Sequence, residues 1–164
     1  MTRSNAGAKV VVAGFGSTDR RDDGVGPLVA ARAQSMTSAT DIGPLGDPLD
    51  LLGQWNGVDL VIVVDAVRSG APTGTVRVIE MDIESDHDPL QSDWAEFETR
   101  VTSTHGIGLA GVVRLARAVG QAPKRLIVVG VEGEAFGFGE GLSPGVERAV
   151  PEALRRVVEL ITEV

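Results

Sequence analysis

Residues 60–65 read Leu60-Val61-Ile62-Val63-Val64-Asp65. Five consecutive apolar residues, mostly β-branched and with no polar position among them, form the pattern of a strand covered on both faces in a parallel sheet. Residues 10–13 and 126–131 have the same character. A fourth run, 75–79, alternates better and follows a loop holding Gly70, Pro72 and Gly74, so a hairpin partner or edge strand is expected there. A short fifth strand is expected near residues 39–42. Between these runs the apolar period lengthens. The pattern predicts a helix over 27–36 and another over 107–119, where Leu109, Val112, Val113 and Ala116 share one face and Gly120 supplies the stop. A third starts with Ser143 as N-cap and Pro144 at the first helical position, and runs to about residue 161 with a kink at Pro151. Residues 48–55 form a further short helical candidate. Strands and helices alternating at these lengths imply an α/β fold: a three-layer sandwich with a twisted, mostly parallel sheet of about five strands and helices on both faces.

The chain has 164 residues, room for one domain, and neither an internal repeat nor a long linker divides it, so residues 1–164 are read as a single domain. Cysteine is absent, which excludes disulfides, thiolate metal sites and a cysteine nucleophile. No apolar run approaches the ~20 residues of a membrane helix. The opening MTRSNAGAK lacks the apolar core of a signal peptide. A soluble cytoplasmic protein is expected, with no membrane partner. The net charge is −8, from 15 Lys and Arg against 23 Asp and Glu. Residues 80–98 hold eight acids and no Lys or Arg, which accounts for the whole excess. Without clustered bases the sequence does not suit a nucleic-acid backbone.

Three places carry candidate chemistry. After the first strand comes Gly14-Phe15-Gly16-Ser17-Thr18-Asp19-Arg20-Arg21-Asp22-Asp23-Gly24-Val25-Gly26. It lacks the third glycine of a dinucleotide fingerprint and the Gly-Lys-Ser/Thr of a phosphate loop. Its adjacent acids stand at the entry to a helix, so one is expected to cap the helix while the other points into the crevice above the strand ends. Asp65 directly follows its apolar run and emerges at the carboxyl edge of the sheet, where open α/β folds place ligands. His105, in Thr102-Ser103-Thr104-His105-Gly106, precedes an amphipathic helix, whereas the other histidine, His87, lies in the acidic segment. Two carboxylates and one imidazole make an O, O, N set suited to zinc or nickel, with manganese also compatible.

Two other patterns lead nowhere. Gly141-Leu142-Ser143-Pro144-Gly145 matches a nucleophile elbow in letters, but Pro144 has no N–H for the oxyanion hole and no strand precedes it. The acids from Asp82 to Asp93 lack the turn glycine of a calcium loop, with His87 in its place, and read as a solvated acidic loop.

Taken together, GFGSTDRRDDGVG (14–26), VIVVDAV (61–67), STHGIGL (103–109), VVGVEG (128–133) and GEGLSPGVERAVPEAL (139–154) resemble the hydrogenase maturation proteases. The likeness runs from residue 10 to about residue 158 in the family's order and spacing. It implies a monomeric endopeptidase that removes the C-terminal extension of a [NiFe]-hydrogenase large-subunit precursor after nickel insertion. The family's metal-contacting positions fall on Asp23, Asp65 and His105, which recognise nickel carried by the precursor, and no organic cofactor is implied. Asp23 or Asp65 serves as general base or metal anchor, a choice the sequence leaves open, with His105 as nitrogen ligand. Two departures bear on this. Ser17 stands where the family carries Asn, and 41–46 reads Asp41-Ile42-Gly43-Pro44-Leu45-Gly46, without the glycine pair that helps select the substrate. These departures motivate an alternative, a non-hydrolytic metal-binding chaperone or adaptor on the same fold; a small nucleotide-binding module is the third reading.

Overall fold

The computed structural model describes residues 7–81, 83 and 108–164. Its strands are β1 (Val10–Phe15), β2 (Thr40–Leu45), β3 (Leu60–Val67), β4 (Val76–Met81) and β5 (Arg125–Glu132). Its helices are α1 (Val25–Met36), α2 (Leu109–Ala118) and α3 (Pro144–Thr162), and short 3-10 turns lie at Arg21–Gly24 and Pro48–Leu51. One sheet of five strands runs in the order β2-β1-β3-β5-β4. The pairs β1–β2, β1–β3 and β3–β5 are parallel, while β4 runs antiparallel to β5 at the edge. The alternating run expected at 75–79 thus lies in β4 (Val76–Met81) and is an edge strand, but it does not pair with β3, because β5 lies between them.

The three apolar runs become the central strands because both of their faces are covered. Val11, Ala13, Val61, Val63, Leu126 and Val128 enter one core with α2 and Trp55. Val10, Val12, Leu60, Ile62, Ile127 and Val129 enter the other with α1 and α3. A residue period of two thus sends alternate side chains into two separate helical layers. This is the expected three-layer sandwich.

Close packing of α1 on the sheet depends on a glycine. A Cβ on Gly26 would lie 2.4 Å from the Phe15 carbonyl oxygen and 2.5 Å from that of Val64. Any larger residue would push the start of α1 away from β1 and β3. The candidate helix at 48–55 shrinks to the turn Pro48–Leu51, begun by Asp47, whose side chain accepts from the Leu49 N–H. Helix α3 continues past Pro151, which lies in its interior. Among the described residues no helix is long and apolar enough to cross a membrane.

Candidate functional site

The chain passes from β1 through α1 to β2 on one side of β1, and β3 then pairs on the other side. The carboxyl ends of β1 and β3 are therefore the point where the strand order reverses, and open α/β sheets have a crevice there. Asp23 lies in the turn after β1, and Asp65 lies near the end of β3.

The turn after β1 folds back tightly. Gly16 has φ of +118°, and a Cβ on it would fall 2.0 Å from the Asp23 carbonyl oxygen. This approach brings the Ser17 N–H within 2.8 Å of Asp23 Oδ2, to which it donates. The 3-10 turn is entered through Arg21, the one described non-glycine residue with positive φ, at +50°. The Arg21 N–H donates to the Gly139 carbonyl at 3.1 Å.

Asp22 and Asp23 then part. Asp22 is completely buried. Its carboxylate accepts from the N–H groups of Glu134 (2.9 Å), Ala135 (2.9 Å) and Ser143 (2.7 Å), and from the Ser143 hydroxyl (2.9 Å). Burial alone would push this carboxyl up. The donated hydrogen bonds from Glu134, Ser143 and Ala135 outweigh it and hold the group below its ordinary value. Neither acid caps α1, whose start receives no side-chain hydrogen bond. The expected capping role is thus corrected: Asp22 instead ties the turn after β1 to the segment between β5 and α3. Ser143 does occupy the N-cap position of α3, but its hydroxyl donates to Asp22 rather than capping its own helix.

Asp65 is held quite differently. It is half-buried, and its carboxyl is pushed well above the ordinary range. Desolvation is the largest cause and the neighbouring charge of Asp23 the second, opposed only by a hydrogen bond from the Ala66 backbone. The structure therefore brings Asp23 and Asp65 into electrostatic contact. His105 lies outside the described residues. Among the described residues no group of three His, Asp or Glu side chains gathers as a metal site.

A residue passed over in the sequence also shapes this edge. Glu132 ends the apolar run of β5 as Asp65 follows that of β3, and it is buried. Its carboxylate accepts from the Ser69 N–H at 2.9 Å, the Ser69 hydroxyl at 2.7 Å and the Gly70 N–H at 3.0 Å. It fixes the loop that leaves β3 just beyond Asp65. The signal that singled out Asp65, an acid directly after a buried strand, also marks Glu132.

The hydrogenase maturation protease family model matches residues 41–160 of this sequence. The chain belongs to the hydrogenase maturation protease family. It is 27% identical over 161 residues to the hydrogenase 2 maturation protease of Escherichia coli, covering 94% of this chain and 92% of that one. The structure of the hydrogenase maturating endopeptidase HybD from E. coli superposes with a TM-score of 0.76, covering 94% of this chain and 93% of that one at 27% identity. The [NiFe] hydrogenase maturation protease HybD from Thermococcus kodakarensis, at 19% identity, shares the fold with a TM-score of 0.73 over 93% of this chain and 99% of that one. Membership in this protease family makes the chain an endopeptidase. At Ser17 the backbone N–H, not the side chain, donates to Asp23.

Proposed function

We propose that this endopeptidase removes the C-terminal extension of a [NiFe]-hydrogenase large-subunit precursor once nickel has been inserted, and that Asp23, Asp65 and His105 recognise that nickel. The observation supporting this most directly is the Asp23–Asp65 pair at the switch point of the sheet. Two carboxylates placed together with one of them desolvated are an unfavourable arrangement that a divalent cation relieves. Two oxygen donors, with the imidazole of His105 as nitrogen donor, suit nickel by ligand type. The ion arrives as part of the substrate. It supplies Lewis acidity at the neighbouring carbonyl. The protein's own task is to hold two anionic side chains on a rigid edge: Ser17 anchors one oxygen of Asp23, and β3 carries Asp65.

Cleavage then acts as a checkpoint, because a precursor without nickel leaves the carboxylates uncompensated. The test is incubation with nickel-loaded and nickel-free precursor, followed by intact mass measurement. Shortening of the loaded form alone is expected. Equal cleavage of both forms overturns nickel recognition, and a bound but uncut loaded precursor favours a non-hydrolytic adaptor.

A further inference from the structure

The segment between β5 and α3 exposes an aromatic side chain at the rim of this edge. Phe138 is 82% exposed, more than any other large hydrophobic residue described. The exposure is not that of a fraying loop. The adjoining Gly139 donates to the Asp19 carbonyl at 2.9 Å and accepts from the Arg21 N–H at 3.1 Å, and Asp22 fixes the segment at Glu134, Ala135 and Ser143. A single exposed ring is ordinary on a protein surface; what sets Phe138 apart is the tied backbone beneath it and the guanidinium stacked on it.

Its neighbours carry charge in an uncommon form. The guanidinium of Arg20 lies over the Phe138 ring at 4.5 Å, and that of Arg68 over the Phe136 ring at 4.5 Å. Arg20 precedes Asp23 by three residues, and Arg68 follows Asp65 by three. Both rings come from the one segment that Asp22 ties to the turn after β1. Elsewhere Lys124, Arg125, Arg155 and Arg156 are paired with carboxylates. Arg20 and Arg68 have no ion-pair partner among the described residues. A guanidinium lying flat on a ring keeps its N–H edge free and its rotamers restricted, which prepares it for bidentate contact with a carboxylate. Outside the acidic stretch 80–98 the charges of the chain balance, so such a pair is a local attraction for anions.

We infer that Arg20 and Arg68, with Phe138, form the docking rim for an acidic segment of the precursor bearing an apolar side chain beside its carboxylates. This rests on the proposed precursor-processing function and names the substrate chemistry that the rim selects. Arg20 and Arg68 are placed here as specificity residues, outside the nickel-recognition set.

The test compares the parent with Arg20→Glu, Arg68→Glu and Phe138→Ala. Precursor binding is measured by calorimetric titration at low and high salt, and KM and kcat with the nickel-loaded precursor. All three side chains are exposed or lie on the surface, so the melting temperatures should match, and Arg20→Lys should restore only part of the affinity. The expected result for each acidic variant is about a tenfold loss of affinity with a matching rise in KM, kcat within about twofold, and a weaker salt dependence. Phe138→Ala should weaken binding without changing its salt dependence. Affinities within twofold of the parent for all three variants overturn the proposal, as does absence of precursor binding by the parent. A parent that binds but does not cut refutes the proteolytic reading while the titrations still decide the rim.

Discussion

Asp22 and Asp65 sit at the same edge of one sheet, yet they are held by opposite means. Asp22 is wholly buried and saturated by four donors from the segment before α3. Asp65 is desolvated, faces the charge of Asp23, and has only the Ala66 backbone in its favour. A buried carboxylate whose lone pairs are filled fixes the shape of the chain. One left unfilled beside another carboxylate stores an electrostatic demand for a cation. Glu132, filled by Ser69 and Gly70, belongs with Asp22. Two satisfied acids thus fix the loops at this edge, and Asp65 stands beside them without such donors.

The largest effect that separates these roles is on turnover. Asp65→Asn and Asp23→Asn should each lower kcat/KM for the nickel-loaded precursor by about a thousandfold, or ~4 kcal/mol of transition-state stabilisation. Asp65→Asn should at the same time raise the melting temperature of the metal-free protein, because it removes a charge that the fold penalises. Processing at the parent rate by either variant would dissolve the distinction. Asp22→Ala should do the reverse of Asp65→Asn and lose about 3 kcal/mol of stability in urea denaturation, since it strands buried N–H groups at Glu134, Ala135 and Ser143. A loss under about 1 kcal/mol would show that water replaces the carboxylate there.

The two acids also predict opposite limbs in a pH profile of the metal-free protein. Asp65 has a folded pKa above its unfolded value of 3.8, so the unfolded chain binds fewer protons in that window and stability falls as pH rises through it. Asp22 has a folded pKa below 3.8, so its contribution is complete above that value and is lost as pH falls through the lowered one. Stability should therefore climb as pH is lowered from neutrality and then collapse at strongly acidic pH. In Asp65→Asn the climb should diminish while the collapse remains, and chemical denaturation across pH measures both.

Much of this was legible in the sequence because burial on both faces leaves an unbroken apolar run. Residues 10–13, 60–64 and 126–131 announced the central strands, and Asp65 was marked by its place after one of them. The pairing of β4 was not legible. A glycine- and proline-bearing loop before an alternating strand looks like a hairpin, and only the insertion of β5 between β3 and β4 excludes it. The division of labour between Asp22 and Asp23 was also hidden. Local spacing shows two acids at a helix entry, but Asp22 finds its donors more than a hundred residues away. Long-range satisfaction of a buried acid leaves no short-range pattern, so capping was the natural expectation.

Ser17 offers the smallest and most discriminating test of how the cleft is held. As a substitution for the family's Asn it reads like damage to the site. In the fold its backbone N–H supports Asp23 at 2.8 Å, while its hydroxyl only accepts a long 3.3 Å contact from the Asp19 N–H in an exposed turn. A contact at that distance and exposure contributes little. Ser17→Ala should therefore change kcat/KM by less than about twofold and leave the melting temperature nearly unchanged. Ser17→Pro removes the backbone donor and should release Asp23, with a loss of turnover approaching that of Asp23→Asn. If the alanine variant instead lost most of its activity, the side chain would have to act on the substrate, and Asp23 would owe its position to the hydroxyl rather than to the tight turn at Gly16.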